Sequence, residues 1–309
     1  MNISEVAPGG VAPLAGRPVA RVGFGAMQLR GRDRDAAISI LRRAVESGVN
    51  HIDTAHFYGP GEVNALIREA LHPYPDDLVL VSKVGAAHSP EAEAGLALAQ
   101  RPEQLRAGVE ENLAQLGVER LEVVNLRRTD APPGVVAEGD QLVDVEDQLA
   151  ELSALRDEGK IGGIGLSAVT AEKLEQALPV GVACVQNSHS VLDRHAEPVL
   201  EVCRENGIPW VPFFPLGSAF PAGSAFPGLS KVTENPVVID VAAAIGATPA
   251  QVGLAWQLAH YENTLLIPGT ADPGHLDENI AAGGVCLTPE LQSELGRLSG
   301  KSGAEIGGL

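Results

Sequence analysis

Eight short apolar runs recur along the chain, each ending on a polar, aromatic or small residue: RVGFGAM (21–27), VNHID (49–53), LVLVSK (78–83), LEVVNLR (121–127), IGGIGLS (161–167), VACVQN (182–187), IPWVPFF (208–214) and TLLIPGT (264–270). Stretches with helical period lie between them. Parallel strands joined by helices close into a (β/α)8 barrel or spread as a doubly wound sheet. The run ends decide between the two. Asp53, Lys83, Arg127, Ser167, Gln186, Phe213 and Thr270 sit at or just past the ends of different runs. In a barrel those ends converge on one face, whereas along an open edge most of them would never meet one ligand. The expected fold is therefore a single (β/α)8 TIM barrel domain over residues 1–309, with extra helices and with lid loops at the C-terminal face.

Helix signals fit this frame. Residues 33–47 carry Ala36, Ala37, Ile40, Leu41, Ala44 and Val45 on one stripe, and Gly48 follows as a stop. Further helices are expected over 61–71, 102–116, 144–158 and 197–205, and Thr170, Thr248 and Thr288 stand as N-caps, the last two followed by Pro. The Pro- and Gly-rich residues 1–18 read as a lead-in with room for a hairpin under the barrel, and 86–101 reads as a loop over one face.

Composition narrows the function. A formal net charge of −18 argues against nucleic acid and against anionic membrane surfaces, leaving small molecules as partners. Cys184, Cys203 and Cys286 are far apart, which suits free thiols in a reducing compartment. The first residues lack a basic segment followed by an apolar one, and no run approaches ~18 apolar residues, so the default address is the cytoplasm. Oligomeric state is not legible.

The densest stretch is NHIDTAHFYGPGEVNAL (50–66), which sets an acid, two histidines and a tyrosine between a short strand and a helix start. His51, Asp53 and His56 suggest a metal cluster only at first sight. His56 falls in the loop and no fourth ligand presents itself, so no metal is expected here. Gly163 to Ala168 fits GxGxxA, but its glycines fall inside a strand rather than in a strand-to-helix turn, and the match is discounted.

With GFGAM (23–27), NHIDTAHFYG (50–59), VSK (81–83), LGVERLEVVNLR (116–127), GLS (165–167), VQN (185–187), FFPLGS (213–218), IPGT (267–270) and HLDEN (275–279) in order, residues 17–299 resemble the aldo-keto reductase family, and within it the pyridoxal reductase branch. The resemblance implies reduction of an aldehyde or ketone without a metal, using NADPH, with NADH as the alternative cofactor. It carries over Asp53, Tyr58 and Lys83 as members of a catalytic tetrad, with Arg127 where a histidine is usual. It also implies that Ser167 and Gln186 hold the nicotinamide amide and that Phe213 stacks on the ring. Gly25, Ala26 and Met27 would line the cofactor, as would Pro215, Leu216, Gly217 and Ser218 along the pyrophosphate. Gly269, Thr270, His275, Glu278 and Asn279 match the adenosine end. His56, Arg127 and His189 are candidates for the substrate pocket.

Two departures bear on the cofactor: Ala168 stands where the family commonly has asparagine, and Asp272 puts an acid near a 2′-phosphate position. Tyr58 is the expected proton donor. A Lys83 ammonium ~4 Å away, worth ~4 kcal/mol at an effective dielectric of 20, would lower its pKa from ~10 toward neutrality, with Asp53 cancelling part of that. Arg127 is expected to steady a developing oxyanion and to grip an acidic group beside the carbonyl, such as the phenolate of pyridoxal. The bland reading is that Arg127 pairs with Asp130 or another acid of the loop that follows. Alternatives to pyridoxal are a sugar or natural-product carbonyl, with lid loops 86–101 and 128–142 as the discriminating segments. A non-catalytic nicotinamide-binding subunit is the remaining alternative.

Overall fold

The computed structural model describes residues 7–91, 95–131, 137–217 and 229–298. Its centre is a six-stranded parallel sheet in the order β3 (Phe24–Gly25), β4 (His51–Asp53), β5 (Val79–Val84), β8 (Leu121–Arg127), β9 (Ile161–Ser167) and β10 (Val182–Gln186). Every residue of β5 is buried, because the barrel interior covers one face and helices cover the other. Two further staves close the ring by isolated parallel bridges. Val185 pairs with Trp210, Trp210 with Thr264, and Leu266 with Val22 beside β3. Backbone N–H groups of Val211, Leu265 and Leu266 donate to the carbonyls of Val185, Trp210 and Arg21 at 2.7–2.8 Å.

The seventh and eighth apolar runs thus form staves without forming ladders. Their prolines explain it: Pro209, Pro212, Pro215 and Pro268 have no N–H to donate, so continuous pairing is impossible along either run. The first run shows a related difference. It is a strand only to Gly25, and Ala26–Leu29 coil into a 3₁₀ turn that carries Ala26 and Met27 across the rim.

Alternation sorts the side chains of the staves. Val79 and Val81 of β5, Val123 of β8 and Cys184 of β10 fill the barrel interior with Val211 and Leu265. The hairpin of β1 (Val11–Leu14) and β2 (Arg17–Ala20) caps the lower mouth and sends the buried Leu14 into that cluster. The opposite faces of the same strands, with Leu80, Val84, Val124 and Leu126, pack against the surrounding helices. Burial of each such side chain contributes about 1.5–3 kcal/mol.

The helices are α1 (Arg34–Glu46), α2 (Glu62–Leu71), α3 (Pro102–Leu116), α4 (Val145–Asp157), α5 (Ala171–Ala177), α6 (Glu197–Asn206), α7 (Pro236–Ile245), α8 (Pro249–His260), α9 (Pro273–Ala281) and α10 (Pro289–Gly296). Asp33, Thr170, Thr248 and Thr288 cap α1, α5, α8 and α10 by accepting from backbone N–H groups of the first turn. No single helix among the described residues is long and apolar enough to cross a membrane. Residues 86–101, expected as a loop, instead begin with a hairpin, β6 (Ala86–His88) against β7 (Leu96–Leu98), which stands over the upper rim directly after β5.

Candidate active site

Four of the expected residues meet at the upper end of β4, β5 and β8. Alternation explains the convergence: Asp53 follows His51 by two residues, Lys83 follows Val79 and Val81 by four and two, and Arg127 follows Val123 by four, so each faces the same interior. Lys83 Nζ donates to Asp53 Oδ1 and, at 3.0 Å, to the carbonyl of Thr54. Gln186 Nε2 donates to the other Asp53 oxygen at 2.7 Å, so the carboxylate is held from both sides. Tyr58 leaves the loop after β4 half-buried, its ring centre 5.1 Å from Lys83 Nζ.

The electrostatics correct one expectation. Burial raises the Tyr58 pKa by more than the Lys83 ammonium lowers it, and the nearby Asp53 adds to the rise. Tyr58 is therefore a phenol that keeps its proton, not one tuned to neutrality. Burial alone would depress Lys83, but Asp53 and Tyr58 outweigh it and hold the ammonium above its usual value. Burial lowers Arg127, which nevertheless stays a cation at any physiological pH.

Arg127 does not pair with Asp130. The neighbouring Arg128 takes that carboxylate, with Nε 2.5 Å from Oδ2 and Nη2 3.0 Å from Oδ1. Among the described residues no ion pair or side-chain hydrogen bond engages the Arg127 guanidinium, and the phenol of Tyr58 is near enough to feel its charge. A cation without a partner beside a neutral proton donor is an arrangement suited to an incoming anion or oxyanion.

Two pocket candidates are displaced. His56 is buried behind Lys83, where its Nδ1 takes a hydrogen bond from Asn112 Nδ2 at 3.1 Å and burial lowers its pKa. It faces α3 rather than the rim, because Gly108 leaves space for the imidazole there. His189 lies outside the barrel between α6 and α8, hydrogen-bonded to Gln257 at 3.0 Å and stacked on Trp256 at 5.8 Å between ring centres. Neither reaches the space between Tyr58 and Arg127.

A polar relay behind the site escaped sequence reasoning. Thr54 Oγ1 donates to Asn64 Oδ1 at 2.7 Å, and Asn64 donates to Asn112 Oδ1 at 3.0 Å. Ser82 Oγ donates to the same Asn112 oxygen at 2.5 Å, tying the site loop to β5 through two helices. The available signal was Asn64 and Asn112 sitting on otherwise apolar helix stripes.

The residues expected at a cofactor line the neighbouring arc. Ser167 and Gln186 end β9 and β10, and Gln186 Oε1 is buried without a hydrogen-bond partner, an acceptor aimed at a missing donor. Ala168 holds a left-handed φ of 55°. Phe213 is half-buried edge-on to Phe214. After it come Pro215, Leu216 and Gly217, with the Leu216 side chain turned into the α7–α8 core. Ser218 lies outside the described residues. Gly25 and Gly269 pass back to back, so that a Cβ on Gly269 would stand 2.3 Å from the Gly25 carbonyl oxygen. Thr270 Oγ1 accepts from Asp272 N at 3.0 Å, and Asp272 Oδ1 caps α9 by accepting from His275 N at 2.9 Å. Around that helix start, His275 is exposed, Asn279 is buried, and Glu278 accepts from Thr248 Oγ1 at 3.4 Å.

A model of the Aldo/keto reductase family matches residues 21–298. The chain is an aldo-keto reductase. It is 41% identical over 294 residues to "Pyridoxine 4-dehydrogenase" of Escherichia coli (strain K12), covering 93% of this chain and 97% of that protein. Among solved structures it is similar to a thermostable aldo-keto reductase in complex with the inhibitor epalrestat, at 27% identity and a TM-score of 0.76 over 94% of this chain and 99% of that one. An aldo-keto reductase from Klebsiella pneumoniae in complex with NADPH is 25% identical, with a TM-score of 0.73 over 91% of both chains.

Proposed function

We propose that this aldo-keto reductase uses NADPH to reduce the aldehyde of pyridoxal, with Tyr58 as proton donor. The observation that carries the reading is the unpaired Arg127 cation beside a proton-retaining Tyr58. The residues present fit a nicotinamide cofactor. The orphaned Gln186 Oε1 is an acceptor for the carboxamide N–H. When bound, reduced nicotinamide supplies the hydride. Tyr58 holds the proton that the carbonyl oxygen takes up, and Lys83, fixed by Asp53, orients that phenol. Arg127 steadies the charge growing on oxygen and pairs with the phenolate adjoining the aldehyde. A phenol held above its usual pKa keeps its proton near neutral pH, the form from which the carbonyl oxygen can take it.

Loss of nicotinamide absorbance on adding pyridoxal tests the reading. Tyr58→Phe is expected to cut kcat by about 10²–10⁴-fold while NADPH still binds. Arg127→Met is expected to lower kcat/KM for both aldehydes, and to lower it for pyridoxal by about a further tenfold or more than for benzaldehyde, which lacks the phenolate. NADPH binding with no turnover of pyridoxal would favour a sugar or natural-product carbonyl. Full activity in Tyr58→Phe would overturn the assignment of the donor.

A further inference from the structure

A second side-chain cluster stands away from the active site, on the outer face of the barrel between α6 and α8. His189, Glu197 and His260 each turn one ligand atom into it, and those atoms lie within 4.8 Å of one another. His189 Nε2 is 3.2 Å from Glu197 Oε1, and His260 Nε2 is 2.9 Å from the same oxygen. The histidine rings are stacked at 5.6 Å, with Trp256 4.4 Å from His260 as the floor. His189 is fully buried, whereas the Glu197 and His260 side chains keep 29% and 25% of their exposure, so the cluster opens to solvent on one side.

Hydrogen bonding fixes the tautomer of His189. Gln257 Nε2 donates to the His189 carbonyl at 2.7 Å, which turns Gln257 Oε1 toward the ring as an acceptor 3.0 Å from Nδ1. Nδ1 must therefore carry the proton. In the neutral ring Nε2 then has a lone pair that confronts a carboxylate at 3.2 Å. That confrontation is relieved by a cation between them, either a proton or a metal ion. A ligating histidine that gives its other N–H to an amide oxygen is the arrangement that orients imidazole toward a metal. Neighbouring ligands around a tetrahedral ion with bonds near ~2.0–2.2 Å lie about 3.3–3.6 Å apart, so separations of 2.9 and 3.2 Å need to widen by only a few tenths of an ångström to admit one. The surrounding cations are engaged elsewhere, Arg194 over Trp256 and on backbone carbonyls, Arg204 on the His260 carbonyl and the Glu201 carboxylate, and the Glu197 hydrogen bonds go to the two imidazoles.

We infer that His189, Glu197 and His260 form a binding site for a divalent transition-metal ion of the zinc class, with solvent completing the coordination. Its role is to clamp α6 to α8 and to the chain leaving β10, not to act on substrate. Binding exchanges a proton for the metal and breaks no covalent bond.

Thermal unfolding of chelator-stripped protein, with and without added Zn²⁺, tests the site. At about 100-fold above Kd, one bound ion is expected to raise Tm by roughly 4 °C. Co²⁺ titration is expected to give one equivalent of visible absorption typical of a four-coordinate N/O site. His260→Ala and Glu197→Gln are each expected to remove the shift and the absorption while the stripped proteins still unfold cooperatively. Binding that persists unchanged in His260→Ala, or no stoichiometric binding to the parent protein, would overturn the proposal and leave a proton-bridged pair at this place. Reductase turnover in His260→Ala is expected to match the parent, which keeps this test separate from that of Tyr58.

Discussion

Ala168 holds a φ of 55°, a conformation that L-residues other than asparagine and glycine rarely adopt, at the point where β9 hands its end to the cofactor arc. Its N–H donates to the Gln186 carbonyl and its own carbonyl accepts from Asp130 and Ala131, so the backbone around it is fixed. Ala168→Asn places a side chain that tolerates this φ beside Gln186 and restores a hydrogen-bonding group for the nicotinamide amide. The expected result is an NADPH Kd about five- to tenfold lower by fluorescence titration, the size of one added hydrogen bond. An unchanged Kd would mean that no group at position 168 reaches the cofactor. Asp53, Lys83 and Arg127 were legible in sequence because strand alternation fixes where a residue at a strand end points. His56 and His189 were not, since both follow strands by three residues and a loop residue's direction depends on what lies beside it. The choice between Arg127 and Arg128 as partner of Asp130 turned on the same point. Arg127 is the last inward residue of β8, and Arg128, one step later, turns out toward the loop acid.

Helix limits follow capping chemistry closely, with α3 running from Pro102 to Leu116 as its proline start and glycine stop imply. Strand limits follow less well, because proline content rather than apolarity decides whether a stave pairs continuously. The hairpin at Ala86–Leu98 was hidden by its small residues, which carry little strand signal. At this scale the α6–α8 contact carries a pH dependence. Burial would raise the Glu197 pKa, but hydrogen bonds from His189 and His260 outweigh it and leave the carboxyl well below its ordinary value. A depressed folded-state pKa stabilises the fold fully above the unfolded value of about 4.3, and the contribution is lost as pH falls toward the folded value. Thermal unfolding of metal-free protein is therefore expected to show a falling Tm below about pH 4.5, and Glu197→Gln is expected to flatten that slope. An identical slope in the variant would assign the acid sensitivity to other carboxylates.

Across the whole molecule, the eightfold alternation was visible in sequence, whereas the uneven strength of the ring was not. Asp53, Lys83, Arg127, Ser167 and Gln186 end five strands of the six-stranded sheet, where pairing is by extended ladders with one register shift between Val182 and Val185. Phe213 to Gly217 and Gly269 to Asn279 follow the two staves held by isolated bridges. Amides of Val211, Leu265 and Leu266 are expected to exchange with solvent faster than those of Val81 to Val84 in hydrogen-exchange mass spectrometry, and NADPH is expected to slow the first group selectively. Uniform exchange around the ring would refute this division.

The two bridged staves also give the catalytic cycle an order in time. On the proposed reading, Asp53, Lys83 and Arg127 stand on the ladder-paired arc, while the bridged arc proposed to take the long body of the cofactor has to settle around it. That order predicts cofactor entry and exit as the slow strokes of turnover, with the proton and hydride crossing in the quiet interval between them.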